Sequence, residues 1–211
     1  MPQVGGSGYV GPMSAAPDPL LPLAEHFALL PSFLSGEEAD AAFRALLHET
    51  PWEERQVHLF GRDIPMPRRV CWYGPVAYAY SGTEHPARPL PPRVEALRQR
   101  VGEATGLRFN AVLLNLYRDG RDSMGLHSDD DYDHGGQPCV ASLSLGAARR
   151  LRLVERGPEG QRLGIDLEPG GLLLMRERAQ LRWRHGVSRT AREVGPRVNL
   201  TFRHHLGPRR A

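Results

Sequence analysis

The stretch NLYRDGRDSMGLHSDDD, residues 115–131, sets an imidazole and a carboxylate two positions apart, His127 and Asp129. Side chains two residues apart on an extended segment project to the same side, so both can reach one ion. A third donor stands in QLRWRHGV. Read as a strand, this segment gives Arg182 and Arg184 one face and Leu181, Trp183 and His185 the other, the side expected to point inward. Two imidazoles and one carboxylate form the facial triad that leaves coordination positions open, the donor set of non-haem Fe(II) oxygenases. His-x-Asp alone also fits a solvated polar turn, and spacing does not choose between the two.

A second constellation lies near the carboxyl end. In PRVNLTFR, Val198, Leu200 and Phe202 take one face, and Arg197, Asn199, Thr201 and Arg203 take the other. Such alternation describes an ordinary half-buried strand with a wet outer face. In a small jelly roll with a polar interior the same four side chains would line a pocket. Its arginines would suit bidentate contact with a carboxylate.

Strands and helices must hold these groups in place. Ser35 with Glu38 three residues on is a capping box, followed by Ala39, Phe43, Leu46 and Leu47 at helical spacing. Pro92 to Thr105 predicts a second helix, with Val94, Leu97, Val101 and Ala104 in one stripe and Gly106 as the stop. FNAVLLNLY (109–117), ASLSLG, RLRLVER, RLGIDLEPGG, LLLM, QLRWRHGV and RVNLTFR then follow with Gly and Pro between them. Short alternating strands at this interval predict an antiparallel sandwich, jelly roll or barrel with flanking helices, a mainly β (α+β) chain. Residues 55–82 read as extended pieces and turns bearing aromatics and arginines. Residues 1–19, rich in Gly, Pro, Ala and Ser, predict a disordered tail.

The whole chain bounds the function. Its 211 residues suffice for a buried core. No run nears the roughly 18 apolar residues of a membrane span, because Leu20–Leu30 is interrupted by Pro22, Glu25 and His26. A basic leader is lacking, so no signal peptide is expected. Cys71 and Cys139 form no CxxC or longer framework, which fits a reducing, cytoplasmic compartment. The net charge is +3 and the isoelectric point about 9.2, and every basic side chain other than histidine is arginine. Arginine suits phosphate, but codon usage accounts for such a bias as readily, so the charge permits nucleic acid without demonstrating it.

Taken together, NLYRDGRDSMGLHSDDD, ASLSLGAARRLRL, LLLMRERAQLRWRH and PRVNLTFR resemble the AlkB family of Fe(II)- and 2-oxoglutarate-dependent dealkylases, from about Arg55 to His204. The resemblance implies a double-stranded β-helix (jelly roll) core over residues 109–211, preceded by helices and a nucleotide-recognition lid over 20–108. It implies Fe(II) on His127, Asp129 and His185. It implies 2-oxoglutarate on Asn115, Tyr117, Arg197 and Arg203, with Arg197 pairing the distal carboxylate and Asn199 assisting. With O2, such a centre demethylates 1-methyladenine and 3-methylcytosine in DNA or RNA, yielding formaldehyde, succinate and CO2. VHLFG (57–61), MPRRVCWYG and YAYSG resemble the lid of the repair members. Phe60 would then fill the gap left by a flipped base, Tyr80 would stack on that base opposite His127, Asp131 would accept from its exocyclic amine, and Arg68 and Arg69 would meet phosphate. The partners implied are alkylated DNA or RNA, with no membrane and a monomeric protein. A hydroxylase of a peptide or small molecule would keep the iron and cosubstrate, whereas a jelly-roll binding module would keep only the strands. Cys71, Cys139 and His134 are assigned to packing or surface, and His204 and His205, near the carboxyl end, to a tag-like or solvent role.

Overall fold

The computed structural model describes residues 23–59, 61–80, 83–129 and 139–205, with backbone alone at 58, 59, 79, 80 and 83. Two helices form as their termini predict. In α1 (Gly36–Glu49) the Ser35 hydroxyl accepts from the Glu38 N–H at 3.3 Å, and the Glu38 carboxylate accepts from the Ser35 N–H at 2.8 Å. In α2 (Pro92–Thr105) proline opens the first turn and Gly106 closes the last at φ 70°, a left-handed conformation that glycine adopts without a Cβ penalty. Arg100 on α2 pairs with Glu38 on α1 at 2.6 Å.

Both helices serve a seven-stranded antiparallel sheet in the order β1 (Phe27–Leu30), β11 (Leu172–Met175), β8 (Val140–Gly146), β13 (Arg197–Arg203), β6 (Ala111–Tyr117), β3 (Arg62–Tyr73), β2 (Glu53–Leu59). A second sheet runs β10 (Arg162–Leu167), β9 (Arg149–Glu155), β12 (Trp183–Val187), β7 (Met124–His127), and a small hairpin joins β4 (Tyr78–Tyr80) to β5 (Thr83–His85). The large sheet crosses the expected division at 108/109, because β3 pairs with β6.

Which face of β13 is wet is decided here. Val198, Leu200 and Phe202 join Val112, Leu114 and Leu116 of β6 in a core shared with Ala39, Leu46, Val94 and Val101 of the helices. That layer covers the apolar face, so Arg197, Asn199, Thr201 and Arg203 turn toward the second sheet and all seven residues of the strand are buried. A second core, with Leu151, Leu153, Ile165, Leu167, Leu173, Met175 and Trp183, lies between the sheets. The half-buried alternative is excluded, and the antiparallel double-sheet jelly roll is the fold.

Two expectations need correction. QLRWRHGV is not one strand: α3 (Glu177–Arg182) occupies its first three residues and the strand starts at Trp183. Glu, Arg, Ala, Gln and Leu are strong helix formers with no β-branched residue among them. Leu181 therefore does not share the inward face of Trp183 and His185, and is 61% exposed. His205 is no surface residue either: it is buried with its ring edge-on to Trp72 at 5.6 Å and to Tyr78 at 6.0 Å. Among the described residues no helix is long and apolar enough to cross a membrane. The expected tail over residues 1–19, and His134, lie outside the described residues.

Candidate metal and cosubstrate site

His127 and His185 meet because they are register partners on neighbouring strands, β7 and β12. Their ring centroids are 4.3 Å apart. Asp129, just past the end of β7, brings its carboxylate between them, Oδ1 3.7 Å from His127 Nε2 and Oδ2 3.5 Å from His185 Nε2. One ligand atom from each of the three residues lies within 4.8 Å of the others.

The protonation states suit a cation. His127 Nδ1 lies 2.9 Å from the Gly125 carbonyl, which can only accept, so Nδ1 carries the hydrogen and the Nε2 lone pair is left for a ligand. Burial and the neighbouring His185 push the His127 pKa down to about 4, so the ring is neutral near pH 7. Burial works to raise Asp129, but the Arg203 guanidinium and the two imidazoles outweigh it and hold the carboxyl well below the usual carboxylate range. Arg203 Nη2 donates to Asp129 Oδ1 at 2.9 Å, while the buried Oδ2 has no hydrogen-bond partner among the described residues. A neutral imidazole with its lone pair free, a second imidazole and an under-satisfied buried carboxylate fit a divalent ion with open positions.

The far side of the same pocket is cationic. Arg197 is 1% exposed and burial pushes its pKa down to about 10, which leaves it charged at neutral pH. Its Nη2 donates to Ser144 Oγ at 2.9 Å, but Nε and Nη1 have no hydrogen-bond partner among the described residues. A buried guanidinium with unused donors is costly unless an anion meets it. The donor set therefore fits a carboxylate such as that of 2-oxoglutarate. Tyr117 stands between two cations, its ring 5.2 Å from the Arg197 Cζ and 5.6 Å from the Arg149 Cζ.

The structure brings Asn115, Tyr117, Arg197, Asn199 and Arg203 into one pocket with the three metal-ligand candidates. Asn199 is braced there, its amide donating to Ser142 Oγ at 2.8 Å and to the Leu143 carbonyl at 3.0 Å. Arg68 and Arg69 part company, since adjacent strand residues face opposite ways. Arg69 is partly exposed and holds Glu54 through two hydrogen bonds, at 3.0 and 2.8 Å. Arg68 is not on the surface as a phosphate contact requires: it is buried in the pocket, its Nε donating to Asn115 Oδ1 at 2.8 Å. Phe60 and Asp131 lie outside the described residues, as does the side chain of Tyr80.

Sequence reasoning missed Ser142 and Ser144. Their alternation in ASLSLG was a usable signal, for they pair with Thr201 and Asn199 across the β8–β13 ladder. It also missed Arg149, whose guanidinium donates to the carbonyls of Asp119, Asp122 and Ser188 and ties three loop positions beneath Tyr117. Nothing local marked it among so many arginines. Tyr78 and His85, which line the pocket and stack 5.7 Å apart, were likewise unassigned.

A double-stranded β-helix with a His-Asp-His triad beside a buried arginine defines a class, the non-haem Fe(II) oxygenase type. The chain belongs to the 2OG-Fe(II) oxygenase superfamily, whose sequence model matches residues 26–203, and within it to the AlkB-type members. It is 37% identical over 184 residues to the human alpha-ketoglutarate-dependent dioxygenase alkB homolog 3, covering 83% of this chain and 64% of that protein. It is 35% identical over 178 residues to the mouse DNA oxidative demethylase ALKBH2, covering 79% and 74%. The chain thus spans slightly less than two thirds of the alkB homolog 3 proteins it matches, the bovine protein likewise at 64%. The solved structure of OsALKBH1 shares the fold, with a TM-score of 0.63 at 20% identity over 85% of this chain and 98% of that one.

Proposed function

We propose that the protein is an Fe(II)- and 2-oxoglutarate-dependent dioxygenase that oxidatively demethylates N-alkylated bases, 1-methyladenine and 3-methylcytosine, in DNA or RNA, with release of formaldehyde, succinate and CO2. One observation carries this reading: a neutral His127, an ionised Asp129 and His185 share a pocket with a buried arginine that has donors to spare. His127, Asp129 and His185 would hold the iron, which with 2-oxoglutarate and O2 supplies the oxidising power for an unactivated C–H bond.

The chain's own residues do the rest. Arg197, fixed by Ser144, orients the distal carboxylate of the cosubstrate, and the Tyr117 ring holds that guanidinium in place from one face. Arg203 keeps Asp129 ionised and turned toward the imidazoles. Leu113, Leu151, Leu167 and Met175 give the pocket an apolar wall that limits water near the reacting centre. Arg68 lies at Asn115 inside the pocket, where it would meet a bound ligand rather than the phosphate backbone. Phe60, Tyr80 and Asp131 remain the residues proposed to fill the gap, stack on the base and accept from its amine, and Arg69 the one to meet phosphate. We place the protein in the cytoplasm as a monomer.

The test is direct. Reconstitute the purified protein anaerobically with Fe(II), add 2-oxoglutarate and O2, and follow succinate and the mass of methylated oligonucleotides, single- and double-stranded. Loss of the methyl mass with stoichiometric succinate is the expected result. Succinate without mass loss on any strand would put a peptide or small-molecule hydroxylase ahead. No succinate at all would leave a binding module.

A further inference from the structure

The strand that carries the first metal-ligand candidate ends two residues before the second. β7 stops at His127, whose register partner is His185. Continued antiparallel, the ladder would set Asp129 opposite Trp183, the residue at which β12 begins just after α3 ends, but the β7–β12 pairing stops at His127 and His185 and the Asp129 N–H is not part of it. Without backbone pairing, a carboxylate just beyond a strand end would swing.

The segment is pinned by side chains instead. Ser128 Oγ donates to the Trp183 carbonyl at 3.0 Å and accepts from Arg156 Nη2 at 2.7 Å. The Asp129 backbone N–H donates to the Oε1 of Gln180, on α3, at 2.9 Å. Gln180 is 1% exposed. An N–H can only donate, so the amide must turn its oxygen to Asp129. Its Nε2 then has no hydrogen-bond partner among the described residues. A buried donor left unmade costs free energy, and methionine of similar length would avoid that cost. Packing alone therefore does not account for a glutamine at this position.

We infer that Gln180 is a positioning residue for Asp129: its amide oxygen replaces the missing strand partner and fixes the backbone from which the carboxylate reaches His127 and His185. Arg203 on β13 grips Oδ1 from the large sheet, and Gln180 on α3 grips the backbone from the other side. The two together leave Oδ2 directed at His185. The role rests on the metal-site reading and extends it to a residue that touches no metal. Partners of this kind typically contribute 10–100-fold to metal affinity.

The experiment compares wild type, Gln180→Met and Gln180→Glu, titrated with Mn(II) while free Mn(II) is read by electron paramagnetic resonance, with the thermal midpoint of each metal-free protein measured in parallel. Methionine removes one unsatisfied donor, Nε2, and creates another, the Asp129 N–H, so the metal-free midpoint should stay near that of wild type. Mn(II) affinity should nonetheless fall about tenfold. Glutamate keeps an acceptor and should recover most of that loss. If Gln180→Met binds Mn(II) as tightly as wild type, or if glutamate is as weak as methionine, the latch is overturned while the metal site stands. If wild type shows no saturable Mn(II) binding, the metal site itself falls and the latch falls with it.

Discussion

Arg197 sits in the protein interior with two donor nitrogens, Nε and Nη1, unmatched among the described residues, so its contribution should be read in cosubstrate binding. Arg197→Ala should raise the KM for 2-oxoglutarate by one to two decades, about 1.5–3 kcal/mol for a charge-assisted bond, with Mn(II) affinity retained. An unchanged KM would remove the residue from the cosubstrate site. Arg197→Lys should not restore binding, because an ammonium lacks the planar fork that meets Ser144 and a carboxylate together. His127→Ala or Asp129→Ala should abolish turnover by losing the metal, since two protein ligands compete poorly with water for a first-row ion. Metal content and succinate formation check this, and wild-type activity in either variant would exclude that residue as a ligand. At this scale the sequence was most informative about β13, whose alternation put Arg197 and Arg203 on one face. It could not separate Arg68 from Arg69, since which of two adjacent side chains points inward depends on what the strand packs against.

The seam between β7 and β12 carries the two histidines, and glycines line it. A Cβ at Gly186 would come within 2.8 Å of the Gly125 and Met124 carbonyl oxygens, whereas one at Gly125 would meet nothing within 4 Å. Gly186→Ala must push the strands apart, and we expect a stability loss of about 1–3 kcal/mol together with weaker Mn(II) binding, because His127 and His185 meet across that seam. Gly125→Ala should leave both nearly unchanged. Urea unfolding and Mn(II) titration of the pair decide it, and equal behaviour would mean that the strand spacing does not set the ligand geometry. Elements with local terminal signals were legible: the capping box opens α1, and proline and glycine bracket α2. The six-residue α3 was not, because less than two turns between strands is too short to show a helical period. The same shortness hides Gln180, because on a strand running through QLRWRHGV its side chain would have no reason to approach Asp129.

For the molecule as a whole, the metal should act as a folding ligand. Mn(II) at a hundredfold excess over its Kd should stabilise wild type by about 2.7 kcal/mol against unfolding, a chelator should reverse this, and Asp129→Ala should not respond. Equal responses in both proteins would put the bound ion elsewhere. The polar alternation of the last strand and the two longer helices followed from sequence alone, because each is set within one element by a period of two or 3.6 residues, and the ligand types were read from residue identity. The interior was decided only by tertiary structure. The helical layer takes the apolar face of β13, so its arginines must look toward the second sheet, where β7 and β12 deliver the histidines and α3 delivers Gln180. A strand with two buried faces carries the same alternation as one with a wet side, and only the layers packed against it tell them apart.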